Sequence, residues 1–173
     1  GYTAAAAPVI FENGVGGYAE AAPKNIADPD RGRDTAPGYP TVREFLEAGF
    51  VFVSPGSRGK ETKNKAGVNV GKSPQGLVDL KAAVRWLRAH TKDLPGNMER
   101  IVSIGMSAGG AMSSLLGVTG NSRSFDKYLE ACGAEMKEGD HVFAAQCYCP
   151  IIDLEHADMA YEWMFRDIAE YHG

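Results

Sequence analysis

Residues Gly105-Met106-Ser107-Ala108-Gly109 set a serine between two glycines, after the apolar run Ile101-Val102-Ser103-Ile104 and before a helix-patterned segment. A strand that turns sharply into a helix brings two backbones together and leaves no room for a Cβ at the flanking positions, which glycine tolerates. A serine at such a turn is held in a strained conformation with its hydroxyl above the sheet edge, placed for attack on a carbonyl carbon. Ser107 is the candidate nucleophile. Ala108 follows it, and an N–H at the start of a helix has no intrahelical acceptor, so it can face a developing oxyanion. The competing reading of the same five residues is a structural glycine turn without chemistry.

The elements around the serine support the first reading. Ala108, Ala111, Met112, Leu115 and Leu116 recur at helical offsets of three and four, and Gly117 and Gly120-Asn121 offer a stop. Pro8-Val9-Ile10-Phe11 and Phe50-Val51-Phe52-Val53 read as strands, with Phe11, Phe50 and Phe52 in the core. Thr41 with Glu44 forms a capping-box pair for a short helix that puts Val42, Phe45 and Leu46 on one face and stops at Gly49. Ser73-Pro74 reads as an N-cap with proline at the first helical position, before a buried stripe of Leu77, Leu80, Val84 and Leu87. A helix over 125–136 and a strand over 142–149 complete the pass. The stretch 18–39, rich in Pro, Gly and Asp, reads as a functional or mobile loop rather than a linker. Strands alternating with helices predict a doubly wound, mostly parallel α/β sheet covered on both faces. Ligands of such sheets bind beyond the carboxyl ends of the strands, where residues 13–18, 55–59, 105–109 and 150–158 converge.

With 173 residues, 44% of them apolar, the chain can bury one substantial core, so a single domain is expected. A formal net charge of −4 with scattered Lys and Arg argues against nucleic acid or an anionic membrane as partner. The apolar stretch 4–11 lacks a basic leader and is far too short to span a bilayer, so no targeting segment is visible. Cys132, Cys147 and Cys149 cannot all pair within one chain; reduced, buried thiols are expected, with Cys147 and Cys149 on one face of a strand.

The assembled motifs resemble the α/β-hydrolase fold and, within it, the bacterial tannase and feruloyl esterase group. The matching stretches are Gly1-Tyr2-Thr3-Ala4 leading to Val15-Gly16-Gly17-Tyr18, Ser54-Pro55-Gly56-Ser57-Arg58-Gly59 and Gly105-Met106-Ser107-Ala108-Gly109-Gly110. The most specific lies in Cys149-Pro150-Ile151-Ile152-Asp153-Leu154-Glu155 with Ala157-Asp158-Met159-Ala160-Tyr161-Glu162-Trp163. The resemblance implies a serine esterase acting on phenolic esters of the gallate or ferulate type. General carboxylesterases, lipases and peptidases of the same fold share the elbow, and a non-catalytic binding protein on this scaffold is a further alternative. No cofactor is implied.

The resemblance also assigns roles. The turn Asn13-Gly14-Val15-Gly16-Gly17 stands where hydrolases of this fold carry their second oxyanion donor, here Val15 or Gly16, although the usual His-Gly-Gly-Gly spelling is absent. The catalytic acid and histidine are expected later in a longer chain, after a lid that begins around 150–173. Residues 1–173 then correspond to about strands 3 to 6, an internal piece whose partners are a small ester and the remaining segments of the same protein, inactive alone.

Of the four histidines, His90 and His141 fall at the wrong ends of their elements, while His156 and His172 lie on the correct side. Asp153 reads as a helix N-cap, as an acid serving in place of the later catalytic one, or as a substrate-binding residue. With Glu155, His156 and Asp158 it imitates a metal cluster, but no spacing puts three ligands on one face, and no metal is expected. Tyr18 could line the acyl pocket. Arg58, in a basic loop with Lys60, Lys63 and Lys65, reads either as solvated or as an anchor for an anionic or phenolic group.

Overall fold

The first strand, β1 (Pro8–Glu12), buries all its residues, and its alternation sorts the core into two layers. Val9 and Phe11 join one cluster with Leu77, Leu80, Val84, Ile101, Met112 and Leu116. Ile10 joins the other, with Tyr39, Val42, Phe52 and Ile104. The structure, a computed structural model, describes residues 1–24, 38–153, 155, 156, 166, 167 and 170. Among them β2 (Val51–Val53), β3 (Asn97–Met106) and β4 (Ala144–Tyr148) complete a parallel sheet in the order β2-β1-β3-β4.

Helices α1 (Val42–Glu47), α2 (Gln75–Ala89), α3 (Ala108–Val118) and α4 (Asp126–Ala131) fill the connections. The chain moves from β1 outward to β2 and then crosses back to set β3 on the opposite side of β1. That reversal makes the gap above β1 and β3 the switch point where α/β sheets hold ligands. The glycine turn follows one of these strands and Ser107 the other.

Several local expectations are met and others shift. Thr41 and Glu44 make the capping box, with the Thr41 N–H on Glu44 Oε2 at 2.6 Å and the Glu44 N–H on Thr41 Oγ1 at 3.2 Å. Leu46 is exposed rather than packed, because this six-residue helix meets the sheet only through its Val42 and Phe45 side. The N-cap of α2 is Pro74, whose carbonyl accepts from the Val78 N–H at 3.0 Å; Ser73 makes no cap bond. Helix α4 ends at Ala131, five residues earlier than expected, because Gly133 turns left-handed (φ +74°) and the Ala134 N–H closes onto the Leu129 carbonyl. The thiols are free, but Cys132 and Cys149 are exposed and Cys147 half-buried. Cys149 also lies past the end of β4 (φ 36°), so it does not share a strand face with Cys147. Cover is thin at edge strand β4, where Ala144, Ala145 and Gln146 are exposed.

Far from the switch point, a buried ionic cluster ties α2 to the segment entering β4. Asp140 is fully buried and accepts from Lys81 Nζ at 2.8 Å, Arg85 Nε at 2.7 Å and the Asn121 N–H at 2.8 Å. Burial alone would push this carboxyl up; hydrogen bonds from Lys81 and the Asn121 backbone, with the charge of Lys81 and a hydrogen bond from Arg85, hold it below the usual carboxylate range. Asp140 is therefore ionised in the folded state at pH values where the unfolded chain would begin to protonate it. Its stabilisation is complete above the ordinary carboxylate pKa and drains away as pH falls below it. Asp140→Asn leaves Lys81 and Arg85 buried without a counter-charge, at an expected cost of about 3–5 kcal/mol. Urea denaturation from pH 7 to 3 should show that loss at neutral pH, together with a flatter acid limb than wild type.

Candidate active site

Ser107 adopts φ 56° and ψ −119°, a conformation that costs a non-glycine residue about 1–3 kcal/mol and persists only where the surroundings impose it. The surroundings here are backbone. A Cβ on Gly105 would lie 2.3 Å from the Gly109 carbonyl oxygen, one on Gly109 3.0 Å from the Val15 oxygen, and one on Gly110 2.6 Å from the Tyr148 oxygen. The Ser107 N–H donates to the Tyr148 carbonyl at 2.9 Å, so β4 fixes the turn from the other side, and the Ser107 carbonyl accepts from Ala111 at 3.0 Å to begin α3. The residue is exposed at the carboxyl end of β3. Ala108, buried, is the first residue of α3, where no earlier turn of helix supplies an acceptor for its N–H.

The glycine turn lies against this elbow. Val15 is buried and its carbonyl faces Gly109, while Gly16 is exposed. Gly17 (φ 55°) and Tyr18 (φ 58°) form the centre of a tight turn closed by the Ala19 N–H on the Gly16 carbonyl at 2.9 Å. Two ties join this turn to the loop after β2: the Lys60 N–H on the Tyr18 carbonyl at 2.8 Å, and the paired bonds between Ala21 and Ser57. Arg58 is committed within that loop, its guanidinium on both Asp79 oxygens (2.6 Å at the shortest) and on the Val70 carbonyl at 3.2 Å.

Val15, Tyr18 and Arg58 converge on a cavity of about 510 Å³, shared with Leu77, Met112 and Phe125; Ser107 does not line it. Burial pushes the Tyr18 phenol up, and its hydroxyl is buried without a hydrogen-bond partner among the described residues. On the other face of the sheet, buried Glu12 accepts from Lys24 Nζ at 2.6 Å and from the Tyr39 hydroxyl at 2.9 Å. Burial and the neighbouring Glu12 carboxylate raise the Tyr39 phenol far above its ordinary range, and its ring packs on Tyr148, 4.8 Å between centroids.

No histidine bonds to Ser107 among the described residues. His90 caps the far end of α2 and stacks on Trp86, and His141 is held by Arg88 and Asn121 before β4. Asp153 accepts from the N–H groups of Glu155 (3.2 Å) and His156 (2.9 Å), with its other oxygen 3.5 Å from His156 Nδ1. Asp158, His172, most of the proposed lid and the helix after Asp153 lie outside the described residues, as does 25–37 of the long loop. Among the described residues no group of three His, Cys, Asp or Glu could hold a metal, and no helix is long and apolar enough to cross a membrane. In sequence Asn13 is a turn residue before Gly14, and Glu12 follows the apolar run of the first strand. Both are buried, which nothing in their local pattern signals.

A parallel sheet that reverses at its centre, with a strained serine between strand and helix and a glycine turn beside it, has the architecture of the α/β-hydrolase fold. The BD-FAE family model matches residues 30–167, and the chain belongs to that family. It is 44% identical to the tannin acyl hydrolase from Lactobacillus plantarum, with TM-score 0.83 over 95% of this chain and 35% of that structure. A tannin acyl hydrolase in complex with ethyl gallate is 42% identical, with TM-score 0.84 over 97% of this chain and 36% of that one. Esterase LipQ of Mycobacterium tuberculosis is 26% identical over 73% of this chain and 27% of its own length. The chain thus spans about a third of the structures it matches, and less of LipQ.

The contacts at the two kinds of glycine make opposite demands. Gly105→Ala forces backbone against backbone and should destabilise by about 3 kcal/mol or prevent folding. Gly16→Ala, with open space and no positive φ, should stay within about 0.5 kcal/mol of wild type. Thermal unfolding of the two variants side by side checks the contrast.

Proposed function

We propose that these residues carry the nucleophile and oxyanion site of a carboxylic ester hydrolase, with Ser107 forming an acyl-enzyme. The observation that carries this reading is the strained Ser107 backbone at the strand-to-helix turn, imposed by contacts at Gly105, Gly109 and Gly110. In the proposed reaction Ser107 Oγ attacks the ester carbonyl while a general base takes its proton. The N–H groups of Ala108 and of Val15 or Gly16 receive the oxyanion, and the tetrahedral intermediate collapses with the proton passing to the departing alcohol. Water then attacks the acyl-enzyme by the same route and frees the acid. The base and the acid that orients it belong, in this reading, to segments outside residues 1–173, so this stretch alone turns over no ester.

Esters of small phenolic acids are the substrate class this reading favours, supported by the likeness to tannin acyl hydrolases in complex with ethyl gallate and with 3,4-dihydroxybenzoate. Arg58 is already paired with Asp79, so it is not free to recognise a phenolic hydroxyl. That recognition is assigned to a lid beginning around 150–173. A broader carboxylesterase is the second reading, favoured by the likeness to LipQ.

In the full-length protein, Ser107→Ala should lower kcat/KM by more than about 10⁴-fold and abolish labelling by a fluorophosphonate. Wild-type activity that survives the substitution would overturn the assignment. Methyl gallate should be preferred over a simple acetyl ester by at least about 100-fold in kcat/KM, since a site built to bond hydroxyls rejects analogues that lack them. Equal turnover would favour the broader carboxylesterase.

A further inference from the structure

We infer that Asn13 is a positioning residue that locks the two halves of the oxyanion site together; this rests on reading Ser107 as the nucleophile. The Asn13 side chain is 3% exposed and directs its Nδ2 at three acceptors: the Gly109 carbonyl at 3.0 Å, Ser113 Oγ at 2.8 Å and, more distantly, the Ile104 carbonyl at 3.3 Å. Its backbone N–H also donates to Ile104, at 3.1 Å. Ser113 in turn accepts from the Ser103 hydroxyl at 2.9 Å, and both serines are fully buried. One carboxamide thus joins the end of β1 to the end of β3 and to the first two turns of α3.

The elbow glycines have a second function in this arrangement. A Cβ on Gly105 would lie 2.8 Å from Asn13 Nδ2, and one on Gly109 2.9 Å from Asn13 Oδ1. The two glycines that permit the sharp turn also make the slot that receives the carboxamide. Two of the three acceptors are backbone carbonyls, which cannot donate, so the amide can face them only with its NH₂ group. A carboxylate of the same shape would set negative oxygen against both. Oδ1 is left buried and unpaired among the described residues, so the side chain satisfies its donors at the expense of its acceptor.

The candidate donors sit close on either side of this lock. Val15 and Gly16 follow Asn13 by two and three residues, and Ser107 and Ala108 precede Gly109 by two and one. A Cβ at Gly14 or Gly16 would meet nothing within 4 Å among the described residues, so the packing of this turn rests on Val15, which is buried in the core. A shift of the turn relative to α3 would separate the two oxyanion donors without touching the nucleophile, and donors are effective only where they meet the oxyanion at hydrogen-bond distance.

The test compares Asn13→Asp, Ser113→Ala and Ser107→Ala in the full-length protein, with p-nitrophenyl acetate as substrate and phenylboronic acid as a tetrahedral analogue. Asn13→Asp should lower kcat by about 100-fold, the scale of losing one oxyanion donor, with KM changed less than about threefold. Ser113→Ala, which removes one acceptor, should lower kcat several-fold with KM unchanged. Boronate affinity should fall in step with kcat in both variants, which a merely structural role would not cause below the unfolding transition. If Asn13→Asp does not fold, Ser113→Ala decides. A folded Asn13→Asp with kcat and boronate affinity within twofold of wild type overturns the inference, as does the same result for Ser113→Ala when the aspartate variant is unfolded. Ser107→Ala is read separately: if it remains active, the nucleophile assignment itself has failed.

Discussion

Everything about the candidate site depends on how closely three backbones approach at the end of β3. A Cβ on Gly105 or Gly110 would lie 2.3 Å and 2.6 Å from carbonyl oxygens of α3 and β4, closer than real Cβ atoms come, and one on Gly109 would crowd the glycine turn at 3.0 Å. That contact forces Ser107 into a conformation that its own residue type disfavours, and the strain is held because the strands on both sides of β3 contribute to it. β1 leads into the turn that meets Gly109, and β4 supplies the Tyr148 carbonyl that accepts the Ser107 N–H. A parallel register is required for both, since only then do all three strands end at the same edge.

The two edges of the sheet are held by different physics. At the carboxyl edge neutral ties, namely glycine contacts, the Asn13 carboxamide and the paired bonds of Ala21 with Ser57, stand beside the partly exposed ion pairs Lys24–Glu12 and Arg58–Asp79. Near the start of β4 the Asp140 cluster uses full charges in a dry setting, where the aspartate and Lys81 are both inaccessible. Such a cluster gives little net stability over an apolar replacement, although removing one partner is costly.

Much of the fold was legible because it is written in short periods. Alternation in β1, the 3–4 spacing of Leu77, Leu80, Val84 and Leu87, and the Thr41–Glu44 pair each act within a few residues. The strand-to-helix turn at Ser107 was legible for the same reason: its glycines bracket the serine in sequence as they do in space. The lock and the cluster were not, because their partners are far apart along the chain. Asn13 meets Gly109 across 96 residues, and Asp140 meets Lys81 across 59. Lys81, Arg85 and Arg88 sit one position beyond apolar residues of α2 and read locally as its wet face. Arg58 reads in sequence either as solvated or as a substrate anchor, and only the fold brings Asp79 within reach of its guanidinium.

The central claim is that an ester passes its acyl group to Ser107. Acid quenching of the full-length protein within its first turnovers of methyl gallate, followed by peptide mass spectrometry, tests it most directly. The account predicts a galloyl adduct on the peptide containing Ser107, absent in Ser107→Ala. Product release with that peptide unmodified, or an adduct on another residue, would contradict it.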